Sequence, residues 1–237
     1  MAAAVPVTAA AVLVAAGSGQ RLGADVPKAF VRVAGRTLLE HAVARFGAHP
    51  DVVSVVVVAP AAELTRAAEL AGPGVAVVPG GATRQESVSC GLAAVAADVP
   101  FVLVSDVARP FVPSAVIASV VAALRAGAAA VVPVVPIHDT VRGRGESTAL
   151  GPVVDRSSLV AVQTPQGFRR DVLVAAHATG MPGATDDAML VEALGHPVVP
   201  VAGADESFKI TTPLDLARAE AVALLSAASP ARPGGAP

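Results

Sequence analysis

An apolar run near the start of the chain gives way directly to Ala15-Ala16-Gly17-Ser18-Gly19-Gln20-Arg21-Leu22-Gly23, with Pro27-Lys28 close behind. Small residues let successive backbone N–H groups approach an anion, so such a turn after a strand suits a phosphate. On the glycines alone, a phosphate cradle and an ordinary glycine turn are equally good readings. Two better-known phosphate loops fail here. A Walker A loop needs a Lys-Ser/Thr pair after its last glycine, and the dinucleotide fingerprint needs its third glycine one residue earlier than Gly23. Arg21 and Lys28 decide between the readings. Two cations at a glycine loop, with Pro27 fixing the turn before Lys28, form an electropositive pocket that a structural turn does not need. In phosphoryl or nucleotidyl transfer, charge develops on the oxygens of the attacked phosphorus, and fixed Arg and Lys donors stabilise it. Arg21 and Lys28 are therefore the first catalytic candidates, and Ala15, Ala16, Gly17 and Gly19 the phosphate-cradling ones.

These residues need a scaffold that presents loops at one edge. Short β-branched runs alternate with longer Ala/Leu-rich segments, the pattern of βα units around a mostly parallel sheet. Continuous apolar stretches mark buried strands at Ala11–Ala15, within a strand read over Thr8–Ala15, and at Val52–Ala59, Phe101–Val104 and Ala128–Val135. Capping-box spacing at Thr37-x-x-Glu40 and Thr83-x-x-Glu86, and Thr212-Pro213 followed by Asp215, predict helices over Thr37–Gly47, Thr83–Ala97 and Thr212–Ser226. Asp106 falls just past a buried strand, where ligand-facing residues of an open α/β sheet belong. A carboxylate there holds Mg²⁺, accepts from a hydroxyl, or merely caps the following turn. The rhythm breaks over residues 137–158, a polar segment read as a projecting arm, and the strand pattern resumes at Leu159–Gln163. The expected organisation is one domain over residues 1–226, followed by a disordered Ala/Ser/Pro/Gly tail over 227–237.

Composition bounds the partners. The 237 residues carry 17 Lys+Arg against 19 Asp+Glu, a net charge of −2 without blocks of one sign, which excludes a basic nucleic-acid footprint. There is no Trp and no Tyr, so stacking platforms for single strands and aromatic membrane belts are excluded too. Gly, Pro or a charge interrupts every apolar run before a membrane span accumulates. A lone cysteine, Cys90, fits a reducing, cytoplasmic setting and reads as a small core residue. The five histidines, His41, His49, His138, His177 and His196, lack metal-ligand spacing and read as structural or surface residues.

The loop Ala-Ala-Gly-x-Gly-x-Arg followed by Pro27-Lys28 resembles the signature of sugar nucleotidyltransferases with a Rossmann-like fold. Further matches narrow the resemblance to the 2-C-methyl-D-erythritol 4-phosphate cytidylyltransferase family. They are Gly80-Gly81 through Ser87 (family Gly-Gly-x-x-Arg-x-x-Ser-Val), Asp106 through Pro110, Asp139-Thr140, Asp155-Arg156, Thr164-Pro165-Gln166, Thr185 through Ala188, and Lys209-Ile210-Thr211. The resemblance implies that Gly81 and Ser87 meet the cytosine and that Asp106 serves nucleotide, acceptor and Mg²⁺. It also implies that Arg109, Thr140, Arg156, Thr164 and Lys209 bind the acceptor phosphate, with Arg156 and Lys209 taking part in catalysis. The arm resembles one that crosses to a second subunit, which implies a homodimer with shared sites. Departures include Ser105 before the aspartate, Val107 after it and Ser207-Phe208 before Lys209. Ala82 stands where an acid often helps read the cytosine amino group, which leaves backbone groups to select the base. The expected reaction is cytidylyl transfer from CTP to a polyol phosphate. Rival expectations are a sister enzyme acting on ribitol 5-phosphate and a non-catalytic nucleotide-binding protein, the latter disfavoured by the retained Arg21 and Lys28.

Overall fold

The computed structural model describes residues 8–17, 22–23, 26–145 and 149–228. In chain order the first half runs β1 (Ala9–Val14), a small hairpin of β2 (Arg32–Val33) and β3 (Arg36–Thr37), α1 (Leu38–Gly47), β4 (Val52–Ala59), α2 (Leu64–Ala71), β5 (Ala76–Pro79) and α3 (Arg84–Ala93). The second half runs β6 (Phe101–Asp106), α4 (Ser114–Arg125), β7 (Ala130–Pro136), β8 (Val141–Arg142), β9 (Val153–Val154), β10 (Val160–Val162), β11 (Gln166–Arg169), α5 (Arg170–Ala178), α6 (Asp187–Ala193), β12 (Val198–Ala202) and α7 (Pro213–Ala228).

Uninterrupted Val/Ala runs occupy the sheet's interior, because a strand covered on both faces gains from apolar side chains at every position. β1 lies between β4 and β6, parallel to both, and β5 extends the sheet beyond β4. Beyond β6 the direction reverses. β11 pairs antiparallel with both β6 and β7. β10 pairs with Val134 of β7 on one edge while β12 pairs with the same residue on the other, so β10 and β11 are two halves of one broken strand. The break is Gln163-Thr164-Pro165, with a cis peptide bond between Thr164 and Pro165.

Alternation along the strands divides the core into two layers. Ala9, Ala11, Leu13, Val55, Val57 and Leu103 face α1, α2, α4 and α7, whereas Ala10, Val12, Val56, Val58, Val102 and Val104 face α3, α5 and α6. The connection leaving β1 therefore runs over one face and the one entering β6 over the other. That makes the cleft between these two strands the topological switch point, where open α/β sheets bind ligands.

The predicted capping boxes form at both α1 and α3, with Thr37 and Thr83 each accepting from the N3 backbone and Glu40 and Glu86 returning the bond. α3 ends at Ala93, four residues before the expected boundary, and the last helix continues to Ala228, two residues past it. Residues 229–237 lie outside the described residues. In the segment expected as an arm, β8 and β9 pair only with each other, among the described residues, and not with the main sheet. Cys90 is half-buried rather than part of the core.

Candidate active site

A cavity of about 670 Å³ opens at the switch point. Three loops at the C-terminal ends of strands line it: Ala15, Ala16 and Gly17 after β1; Gly81, Ala82, Thr83, Arg84 and Ser87 after β5; and Asp106, Val107 and Ala108 after β6. Lys28 and Lys209 complete the wall.

Local chemistry sets each loop. Lys28 begins a single 3-10 turn (Lys28–Phe30) entered from Pro27, whose φ of −55° suits that entry. The Gly80-Gly81 turn folds tightly onto α3. A Cβ on Gly81 would sit 2.3 Å from the Glu86 Cβ, and one on Gly80 2.7 Å from the Ala16 Cβ, so no side chain fits at either position. Ser87 is buried. Its Oγ donates to the Thr83 carbonyl at 2.8 Å and accepts from the Gly81 N–H at 3.2 Å, so the hydroxyl closes the loop that it shares with the cavity. Glu86 accepts from the Ala82 N–H at 2.6 Å, which adds a second clasp.

Asp106 is the electrostatic centre. One oxygen accepts from Arg84 Nε at 3.3 Å and the other from Lys209 Nζ at 2.6 Å. Burial alone would raise its carboxyl, but the Arg84 and Lys209 cations, with Arg109 further off, hold it below the ordinary carboxylate range. Its backbone N–H donates to Thr164 Oγ1 at 3.1 Å, and that hydroxyl also bonds Ser105 Oγ at 3.2 Å. Thr164 is thus a buried support beneath Asp106. Lys209 is aimed by its neighbour, because the Ile210 N–H donates to the Ala108 carbonyl at 2.9 Å and staples that segment to the loop after β6.

The expected residues divide into groups. Ala15, Ala16, Gly17, Lys28, Gly81, Ser87, Asp106 and Lys209 meet at one cavity. Gly19 and Arg21 lie outside the described residues. Arg109 is half-buried next to the site, with Nη1 donating to the Ser207 carbonyl at 2.7 Å, and burial lowers its pKa against the pull of Asp106. Thr140 and Arg156 are exposed on the 137–158 segment, where Arg156 donates to the His138 carbonyl. Sequence reasoning gave no role to Arg84, although it is the arginine of the Gly-Gly-x-x-Arg match. Its second partner, Asp187, is 103 positions away, so nothing local announced the pairing.

Among the described residues no group of three or more His, Cys, Asp or Glu side chains forms a metal cage. Among the described residues the cavity is lined by one carboxylate, Asp106, which fits a Mg²⁺ that takes most of its ligands from substrate phosphates and water.

A mostly parallel sheet with a cationic cavity at its switch point defines an α/β protein built to hold a phosphorylated nucleotide. The comparisons make this specific. The family model for 2-C-methyl-D-erythritol 4-phosphate cytidylyltransferase (IspD) matches residues 9–224. The enzyme of that name from Saccharopolyspora erythraea is 50% identical over 218 residues, covering 90% of this chain and 97% of the relative. That from Frankia casuarinae is 48% identical over 225 residues, covering 94% and 83%. The crystal structure of the Thermus thermophilus enzyme superposes with a TM-score of 0.76 at 44% identity, covering 91% of this chain and 98% of that one. The chain belongs to the 2-C-methyl-D-erythritol 4-phosphate cytidylyltransferase family.

Proposed function

We propose that the protein transfers the cytidylyl group of CTP to 2-C-methyl-D-erythritol 4-phosphate, giving 4-diphosphocytidyl-2-C-methyl-D-erythritol and pyrophosphate for isoprenoid biosynthesis. The observation that carries this reading is that Lys28, Arg84, Lys209 and Asp106 line one cavity at the switch point, with Arg84 and Lys209 paired to Asp106, in a chain whose family is named for that reaction. An acceptor phosphate oxygen attacks the α-phosphorus of CTP in line, the bond to the bridging oxygen breaks, and pyrophosphate leaves with the electron pair. No covalent enzyme intermediate is needed.

The loop residues Ala15, Ala16, Gly17 and Gly19 and the clasped Gly81 and Ser87 hold the nucleotide, and the base is selected by backbone groups because Ala82 offers no polar side chain. Arg21 and Lys28 stabilise charge on the attacked phosphate. Lys209, Arg109 and Arg156 orient the acceptor's dianion, Thr140 contributes from the arm, and Thr164 fixes Asp106, so that proximity supplies much of the rate. Mg²⁺ would be held by Asp106 together with the triphosphate, where it neutralises phosphate charge. The arm places Thr140 and Arg156 in a neighbouring subunit's site, which makes the working unit a homodimer. No described helix is long and apolar enough to cross a membrane, and a cytoplasmic biosynthetic enzyme fits that.

Pyrophosphate release across four nucleoside triphosphates and several polyol phosphates, with and without Mg²⁺, tests the proposal. Turnover confined to CTP with methylerythritol phosphate supports it. Turnover with ribitol 5-phosphate instead, or none, refutes it.

A further inference from the structure

Arg84 lines the cavity as the first residue of α3, and it is gripped from behind as well as from the cavity side. Its side chain is 29% exposed, and while Nε meets Asp106, Nη1 donates to Asp187 at 2.7 Å. Asp187 is 1% exposed, and its other oxygen faces His177 Nε2 at 3.0 Å. The opposite ring nitrogen of His177 lies 2.9 Å from Ser89 Oγ. Ser89 belongs to α3, the helix that Arg84 begins. The contacts therefore leave α3 at Arg84, pass through the first residue of α6 and the last turn of α5, and return to α3.

Every group in this circuit has a partner of the right sense. Nε2–H donates to the carboxylate, the other ring nitrogen pairs with the serine hydroxyl, and Arg84 meets the remaining carboxylate oxygen. A buried carboxylate with both oxygens engaged has one orientation. It is steered from the other side too, because Asp186 accepts from Gln166 Nε2 at 2.7 Å and the Ala188 N–H donates to Gln166 Oε1 at 3.3 Å. A free arginine side chain carries rotamer entropy that a ligand must otherwise remove on binding. Nothing in the Asp187–His177 pair lines the cavity.

Resting on the reading of the cavity as the CTP site, we propose that Asp187 and His177 are positioning residues for nucleotide binding: they hold the Arg84 guanidinium in the orientation that receives the CTP phosphates. Neither touches the substrate. His177 is then not a merely structural histidine, because its effect on the reaction passes through Arg84.

The test compares the wild-type chain with His177→Leu, His177→Gln, Ser89→Ala, Arg84→Met and the double variant Arg84→Met/His177→Leu. Steady-state kinetics for each substrate and thermal melting are read in parallel. His177→Leu is expected to raise KM for CTP about tenfold, with kcat within about twofold and KM for the acceptor unchanged. His177→Gln, which keeps a donor toward Asp187, is expected to restore KM. In the Arg84→Met background, His177→Leu is expected to raise KM no further, although it still lowers the melting temperature. A purely structural histidine would lower melting alone, or would act equally with and without Arg84, and either result overturns the inference. If His177→Leu does not fold, Ser89→Ala decides: a rise of about threefold in KM for CTP supports the proposal, and an unchanged KM refutes it. Wild-type turnover of CTP with unaffected variants would sink this inference alone. A wild type that binds no CTP would sink the reading of the site.

Discussion

At the scale of single residues, the cavity concentrates charge that the whole chain balances. Lys28→Ala is expected to lower kcat by about 10²-fold or more while far-ultraviolet circular dichroism stays native, because a donor to transition-state charge is removed without touching the core. Near-normal turnover by this variant would remove Lys28 from the mechanism. A second residue prediction concerns acid stability. Burial raises the Asp215 carboxyl, but hydrogen bonds from the backbones and hydroxyls of Thr211 and Thr212 outweigh it and lower the pKa to about 2. The pKa is depressed in the folded chain. The bonds at the start of α7 therefore contribute fully above the unfolded value of about 3.9 and are lost as pH falls toward 2. Melting temperature from pH 5 to 2 should fall more steeply for the wild type than for Asp215→Asn. Lys28 was legible because its neighbours in sequence are its neighbours in the site. Arg84 was not, since its importance lies in carboxylates 22 and 103 positions away.

At the scale of elements, capping boxes are local, four residues from end to end, and both were readable at Thr37 and Thr83. They differ in what they hold. Thr37→Ala and Thr83→Ala should each cost about 1 kcal/mol of stability by denaturant melts. Only the second should also raise KM for CTP, because the lost Thr83 hydroxyl cap on the Glu86 N–H loosens the first turn of α3, whose Thr83 carbonyl anchors Ser87 and through it Gly81. Equal kinetics for the two variants would mean that the loop is held by the backbone alone. The strands Val52–Ala59 and Phe101–Asp106 announced themselves by unbroken hydrophobicity, whereas β11, Gln166–Arg169, did not. It is short and polar at both ends, and it earns its central place through Gly167, where a Cβ would meet Val120 Cγ1 at 2.3 Å. Such a close approach between strand and helix leaves no periodic trace. The Ala/Val-rich α4 was equally silent, since those residue types suit strand and helix alike.

At the scale of the whole molecule, the proposed dimer makes a prediction that a monomer cannot meet. If Arg156 serves a neighbour's cavity, inactive Lys28→Ala and Arg156→Ala chains, mixed and allowed to exchange subunits, should regain about a quarter of wild-type activity, since half the dimers then carry one intact site. Absence of recovery, with exchange verified by mass, would place Arg156 in its own subunit's site. The alternation of strands and helices made the α/β class readable, but the reversed middle strand depends on pairings between distant segments. That reversal has a consequence for how such an enzyme can change. β7 runs parallel to β6, and the broken strand β10–β11 runs back between them, so the chain leaves Pro136 and re-enters at Val160 on the same rim as the cavity. The chain thus leaves and rejoins the sheet at one rim, and the pairings of β7 with β11 on one edge and β12 on the other do not involve residues 137–159. Under the proposed roles of Thr140 and Arg156, exchange of this one segment would alter the acceptor contacts it supplies while leaving the loops after β1, β5 and β6 untouched.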